Sequence, residues 1–290
     1  MRGLTSALVA VVVVALFTGG CASSSNLPPP KWGRISGAGV SERKFTPEGE
    51  YFLGRAVAVQ LLGRYSYLDN AALTHYVGLI VTSLAYTNDL QVPYAGRYQV
   101  ALLDTDEICA FSAPGGYILV SRGLLSTVQS EDELAGVLAH ELGHLRNKDG
   151  INAVGRSKAT SMLTAAGTLL VSMAGGGGLA GALLQTFEGA VDQAVTDLVA
   201  KGFSREQELL ADEAALQLMS KTGYVAGAYL DFMRRVFHTG QTQDIALFAT
   251  HPMSEQRLVN VQQRLQTLDY PGAGSELRVK RFRVAQADLP

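Results

Sequence analysis

The segment His140-Glu141-Leu142-Gly143-His144 constrains this chain more than any other. Two imidazoles four residues apart share a face only if the backbone is helical, because four residues make slightly more than one turn. The flanks supply that helix. Ser130 with Glu133 reads as a capping box, Leu134, Leu138, Leu142 and Leu145 recur at helical spacing, and Gly150 reads as the stop. The sequence therefore predicts a strongly amphipathic helix over 130–148 that turns His140 and His144 toward one point. Two neutral histidines so placed can hold one Zn²⁺ at about 2.0–2.1 Å each. Glu141, one residue on, reaches the edge of such an ion and can take a proton from water there. A surface helix with two solvated histidines would show the same five letters. Against that alternative, the chain has only five histidines, and the helix around these two is apolar.

A catalytic zinc takes three protein ligands and keeps one position open. Ser204 with Gln207 makes a second capping box, opening a helix that Gly223 ends. Glu208 and Asp212 stand four apart on it. Glu208 can ligate, and Asp212 can orient an imidazole through its other nitrogen. The alternative for both acids is a solvated helix face. Leu209, Leu210, Ala211, Ala214 and Ala215 leave little polar company around Asp212, whereas Glu206 and Glu213 suit solvent.

Residues 1–20 read as a secretory signal: Arg2, the apolar run from Leu4 to Phe17, then Thr18, Gly19 and Gly20. Cys21, directly after small residues, resembles the bacterial lipobox, in which the thiol is lipidated and becomes the first residue of the mature chain. An ordinary signal with an incidental cysteine is the alternative. Ala22 is not acidic, which by that resemblance points to the outer membrane. Residues 21–45, with Pro28-Pro29-Pro30, read as a tether. With Cys21 lipidated, Cys109 has no partner in the chain, so a disulfide framework is excluded. Its neighbours Ile108, Ala110 and Phe111 make it a buried small hydrophobe. A net charge of -2 without a long basic run excludes nucleic acid as a partner.

Folded sequence is expected from Thr46-Pro47, with one helix to about Gly63 and a second from about Asp69 to Tyr86. Tyr98 to Leu103 alternates like a strand. Ala113-Pro114-Gly115-Gly116 reads as a turn leading into a strand from Tyr117 to Val120. Further helices are expected over 188–200, 225–238 and 255–268. The tail, 271–290, is set apart from a domain over 46–270, and its part from Glu276 to Val284 alternates like a strand. Residues 159–187 carry no charge, but the glycines at 175–178 and 181 weaken a spanning helix. That stretch reads as glycine-hinged helices forming a lid over the active site or touching the membrane. His75 reads as a surface or packed histidine and His238 as a surface residue.

Taken together, Ser204-Arg205-Glu206-Gln207-Glu208-Leu209-Leu210-Ala211-Asp212 and the His-Glu-Leu-Gly-His segment resemble the CAAX prenyl protease and HtpX-type family of gluzincin peptidases. Ala113-Pro114-Gly115-Gly116-Tyr117-Ile118-Leu119-Val120 is similar to that family's Pro-Gly-Gly strand. Thr250-His251-Pro252 with Arg257 is similar to its downstream His-Pro segment. The chain departs from the pattern at Cys109, where Asn is common, and looks like the short periplasmic lipoprotein branch, without the helical-repeat domain of some members. The resemblance implies an α+β, mainly α, zincin-like fold with a small sheet beside the zinc helix. It implies Glu208 as third ligand to a single Zn²⁺, and Asp212 as support for the histidines. It places His251 near the ion, as an oxyanion donor or a fourth ligand at rest, with Arg257 assisting. It makes the Tyr117 to Val120 strand an edge to which a peptide could add.

The expected function is zinc-dependent endopeptidase action on polypeptides of the cell envelope, with misfolded or misassembled proteins as substrates. Envelope assembly machinery is the expected partner and the lipid on Cys21 the membrane contact. Two rivals stand beside it: a chaperone-like assembly factor with a latent zinc site, and a cell-wall amidase.

Overall fold

The computed structural model describes residues 46–155, 191–192, 195–196, 202–238 and 250–290. The signal, the tether with Cys21 and the expected lid at 159–187 lie outside the described residues, as does most of the helix expected over 188–200.

Thr46 caps α1 (Pro47–Tyr65) through Gly49 N, and Asn70 caps α2 (Ala71–Thr87) through Leu73 N. Three short strands follow: β1 (Gln99–Leu103), β2 (Ala110–Ala113) and β3 (Tyr117–Ser121). α3 (Arg122–Thr127) leads into α4 (Glu131–Asn147) and α5 (Asp149–Gly155). Beyond it come α6 (Arg205–Thr222), α7 (Gly227–His238), α8 (Glu255–Leu265) and α9 (Glu276–Ala287). The architecture is α+β and mainly α, as expected.

The sheet corrects one expectation. Its order is β1-β3-β2, with β3 parallel to β1 and antiparallel to β2. The strand from Tyr117 is therefore central, and β2 is the edge that packs on α4. β2 escaped notice because Ala-Phe-Ser-Ala is too short to show alternation. Gly115, at φ +74°, makes the β2–β3 turn and sits against the backbone of Tyr51 in α1. Both sheet faces are covered. Ile118 and Val120 enter the main core with α2, α4 and α6, while Leu119 and Phe111 enter a second core under α1.

α4 is not amphipathic in place. Every residue from Glu131 to His144 is buried, because β2, α2, α6, α7 and α9 enclose it. Its first-turn acids are matched to partners. Glu131 accepts from Tyr76, Tyr224 and Arg281, Asp132 accepts from Val225 N, and Glu133 accepts from Arg235. Ser130 caps the helix as predicted, but the Glu133 carboxylate turns to Gln129 N rather than closing the box. The helix ends at Lys148, left-handed at φ 57°, and not at Gly150.

The tail is also a correction: α9 is a helix, capped by Ser275. Leu277, Val279 and Val284, which gave the strand-like alternation, are exposed. Phe282 and Ala285, three apart, are the buried pair. Arg278 lies over the Tyr224 ring at 4.9 Å, donates to Gly223 O at 2.8 Å and stands 3.4 Å from Asp132, while Arg281 donates to Glu131, so α9 fastens across the end of α6 and the start of α4.

Candidate metal centre

α4 brings His140, Glu141 and His144 against Glu208 and Asp212 of α6. All seven residues expected at the centre, His251 and Arg257 included, lie together. His140 Nε2 and His144 Nε2 are 3.1 Å apart. Glu208 Oε2 is 3.3 Å from the first, and Glu208 Oε1 3.4 Å from the second. His251, on the segment leading into α8, sets its Nδ1 3.2 Å from His140 Nε2 and 3.1 Å from Glu208 Oε1. One ligand atom from each of these four buried residues falls within 4.8 Å of the others.

The chemistry of this donor set fits a metal. His144 Nδ1 lies 2.7 Å from Asp149 Oδ2, and His140 Nδ1 lies 3.0 Å from Asp212 Oδ1. Each ring therefore donates its Nδ1 proton to a carboxylate and turns its Nε2 lone pair inward. Lone pairs of two imidazoles and a carboxylate converging at this range repel unless a cation sits among them. Tetrahedral ligands at about 2.0–2.1 Å stand about 3.3–3.4 Å from one another, close to the separations found here.

The surrounding charges hold Glu208 and Asp212 ionised. Burial pushes both carboxyls up. For Glu208 the Arg257 guanidinium and the imidazoles outweigh it and keep the group well below the usual range. For Asp212 the same guanidinium and His140 bring it to about 2. Arg257 donates to Asp212 from Nε at 2.8 Å and from Nη2 at 2.7 Å. Its Nη1 lies 2.6 Å from Glu208 Oε2, but off the line of a hydrogen bond, so that oxygen has no donor. Glu141 is fully buried, and neither of its carboxylate oxygens has a hydrogen-bond donor; Oε1 is 3.3 Å from His251 Nε2.

Three residues at the centre were not foreseen. Tyr229 of α7 donates to Asp212 Oδ1 at 2.8 Å, and its oxygen is 3.1 Å from His140 Nδ1. Burial, then the Asp212 charge, raise its pKa well above the ordinary phenol value, so it remains a donor. Asp149 receives His144. Phe203 stacks on the His144 ring, centroids 3.9 Å apart. For Asp149 a signal existed, since a histidine ligand calls for a carboxylate on its other nitrogen. Tyr229 and Phe203 left no local mark.

Residues 71–265 match the profile of Peptidase family M48. The chain belongs to peptidase family M48. The membership agrees with the peptidase family that its motifs resemble. Beta-barrel assembly-enhancing protease of Escherichia coli (strain K12) is 25% identical over 276 residues, 91% of this chain and 53% of that protein. A protease HtpX homolog of Thermococcus kodakarensis is 26% identical over 211 residues, 62% of this chain and 70% of the relative. Mitochondrial metalloendopeptidase OMA1 of Schizosaccharomyces pombe is 31% identical over 160 residues, 54% and 43% respectively. The M48 chain spans about half the length of the beta-barrel assembly-enhancing protease it matches. Among the described residues no helix is long and apolar enough to cross a membrane.

Proposed function

We propose that this M48 peptidase is a zinc-dependent endopeptidase for misfolded or misassembled cell-envelope proteins. It works on the periplasmic side of a bacterial outer membrane, tied there by a lipid on Cys21. Residues 1–20 are its signal, 21–45 its tether and 46–270 its peptidase domain. The observation that carries the reading is Glu141: a buried carboxylate without a hydrogen-bond donor, one residue from His140 and 3.3 Å from His251 Nε2.

His140, His144 and Glu208 would hold one zinc ion. When bound, it supplies Lewis acidity that makes water a nucleophile near neutral pH and polarises the scissile carbonyl. Glu141 accepts one proton of the attacking water as its oxygen bonds to the carbonyl carbon, then passes that proton to the departing amine as the C–N bond breaks. Asp212, with Tyr229, fixes His140. Arg257 is occupied by Asp212 and Glu208, so it positions those acids rather than facing substrate. His251 donates from Nε2 to the carbonyl oxygen as charge develops on it.

A cleft of about 420 Å³ opens beside His144, walled by Tyr94, Tyr98, Ser112, Pro114 and Lys148. An extended polypeptide fits such a cleft, pairing with the outer side of β2 and asking little of its sequence. The names of the assembly-enhancing relatives support an envelope substrate and a link to envelope assembly machinery.

The zinc-loaded chain is expected to cleave an unfolded protein such as casein and to leave peptidoglycan intact. Chelator and Glu141→Gln should each stop it. Cleavage at the native rate by Glu141→Gln would remove Glu141 as the base. Cys21→Ser should release the chain from outer-membrane fractions, and unchanged fractionation would reject the lipid anchor.

A second reading, a chaperone-like assembly factor with a latent centre, draws on His251 as a fourth donor within ligand range. His251→Ala separates the two. Faster proteolysis supports latency, and lost proteolysis supports the oxyanion role.

A further inference from the structure

We infer that Asp149 and Gln207 form a positioning relay that fixes the ring of His144. The helix cap at the start of α6 thereby presets one metal ligand. The inference rests on the metal-centre reading proposed above.

The relay begins in the cap. Gln207 Oε1 accepts from Ser204 N at 3.0 Å while Ser204 Oγ accepts from Gln207 N. A backbone N–H can only donate, so the amide oxygen must face Ser204 and the amide nitrogen must face away. That nitrogen donates to Asp149 Oδ1 at 3.0 Å. Asp149 is buried, and its remaining oxygen, Oδ2, meets His144 Nδ1 at 2.7 Å. An ionised carboxylate only accepts, so His144 must carry its proton on Nδ1 and present a bare Nε2 to the cluster. Each bond in the series fixes the polarity of the next.

Local backbone makes the relay reachable. Lys148 leaves α4 in the left-handed region, at φ 57°, which turns the next residue back toward the helix it has just left. The Lys148 ammonium is tied to Glu50 of α1 at 2.7 Å, which steadies the corner. Phe203, next to Ser204, lies flat on the His144 ring and takes a backbone bond from its own N to Thr250 O at 3.0 Å. One short stretch, Phe203 to Gln207, thus sets both the plane and the tautomer of His144.

The test reverses the polarity of the pair. Asp149→Asn presents an amide whose nitrogen must oppose Gln207 Nε2 if its oxygen is to serve His144. Gln207→Glu alone sets two carboxylates against each other. Together they restore a donor facing an acceptor, and Glu still closes the capping box. Zinc affinity of the full chain is measured by chelator competition, alongside the downfield Nδ1–H resonance of ¹⁵N-labelled His144. Each single variant should bind zinc about 10–100-fold more weakly, with recovery in the double variant, while Asp149→Ala loses both affinity and the resonance. Unchanged affinity in Asp149→Ala, or singles whose loss the double does not recover, would overturn the relay. If the native chain takes up no zinc, the functional reading fails. The His144 resonance in native and Asp149→Ala protein then decides the relay by itself, and its persistence in Asp149→Ala overturns it.

Discussion

Gly143 faces Ala211 so closely that a methyl group on it would come within 2.9 Å of the Ala211 carbonyl oxygen and 3.0 Å of the Ala214 methyl. The residue between the two halves of the metal centre is thus a glycine because α4 and α6 nearly touch there. Gly143→Val should push the helices apart, at a cost of about 1–3 kcal/mol from overpacking. It should also lower zinc affinity by drawing Glu208 away from both imidazoles. Thermal unfolding and chelator competition on the same preparation check both effects; a native chelator midpoint would show that the spacing does not set the site.

Arg257 is buried between the carboxylates of Glu208 and Asp212. Arg257→Met should destabilise the metal-free chain by about 3–5 kcal/mol, the usual effect of stranding a buried charge. Arg257→Lys should recover little, because a single ammonium cannot reproduce the two-pronged contact with Asp212. Urea unfolding in the presence of chelator measures both.

α9 holds the first turn of α4 through Arg281 on Glu131 and Arg278 beside Asp132, 3.4 Å away, and Arg278 also donates to Gly223 O at the end of α6. Arg278→Ala with Arg281→Ala should lower the melting temperature by several degrees, as roughly 1–2 kcal/mol of charge-assisted bonding is lost from a chain of this size. Arg281 is about half exposed, so its share is the smaller. Calorimetry of the double variant, compared with Lys280→Ala as a surface control, gives the result.

Cys109 is buried, and burial raises its thiol from 9.0 to about 12. In a Cys21→Ser background, alkylation at pH 8 should label unfolded chain quickly and native chain only at the rate of unfolding. The sign of the pH effect follows from linkage. Between about pH 9 and about 12 the unfolded chain sheds the thiol proton while the folded chain keeps it. Cys109 therefore costs the fold stability as pH rises through that window. Cys109→Ala should flatten that part of the stability profile.

What the sequence revealed and what it hid divide along the range of the interactions. The helices bearing His140 and Glu208 were readable because caps and apolar spacing act within a few residues: Ser130, Ser204 and Gly223 do what their positions imply. The partners of those helices were harder to see. Tyr229 reaches His140 across 89 residues of chain, and Asp149 returns to His144 only through the left-handed turn at Lys148. The expected strand over Glu276 to Val284 failed for a related reason. Alternation of Leu277 and Val279 with charged residues counts only if a sheet edge waits for it, and here the Ser275 cap and the Phe282–Ala285 stripe favoured a helix against α4.

The clasp of α9 on α4 also orders events in time. Every ligand residue precedes position 276, so a nascent chain emerging from its amino end has the full cluster before the arginines that brace Glu131 and Asp132. The arginine clasp on the first turn of α4 is therefore the last of these elements to leave the ribosome.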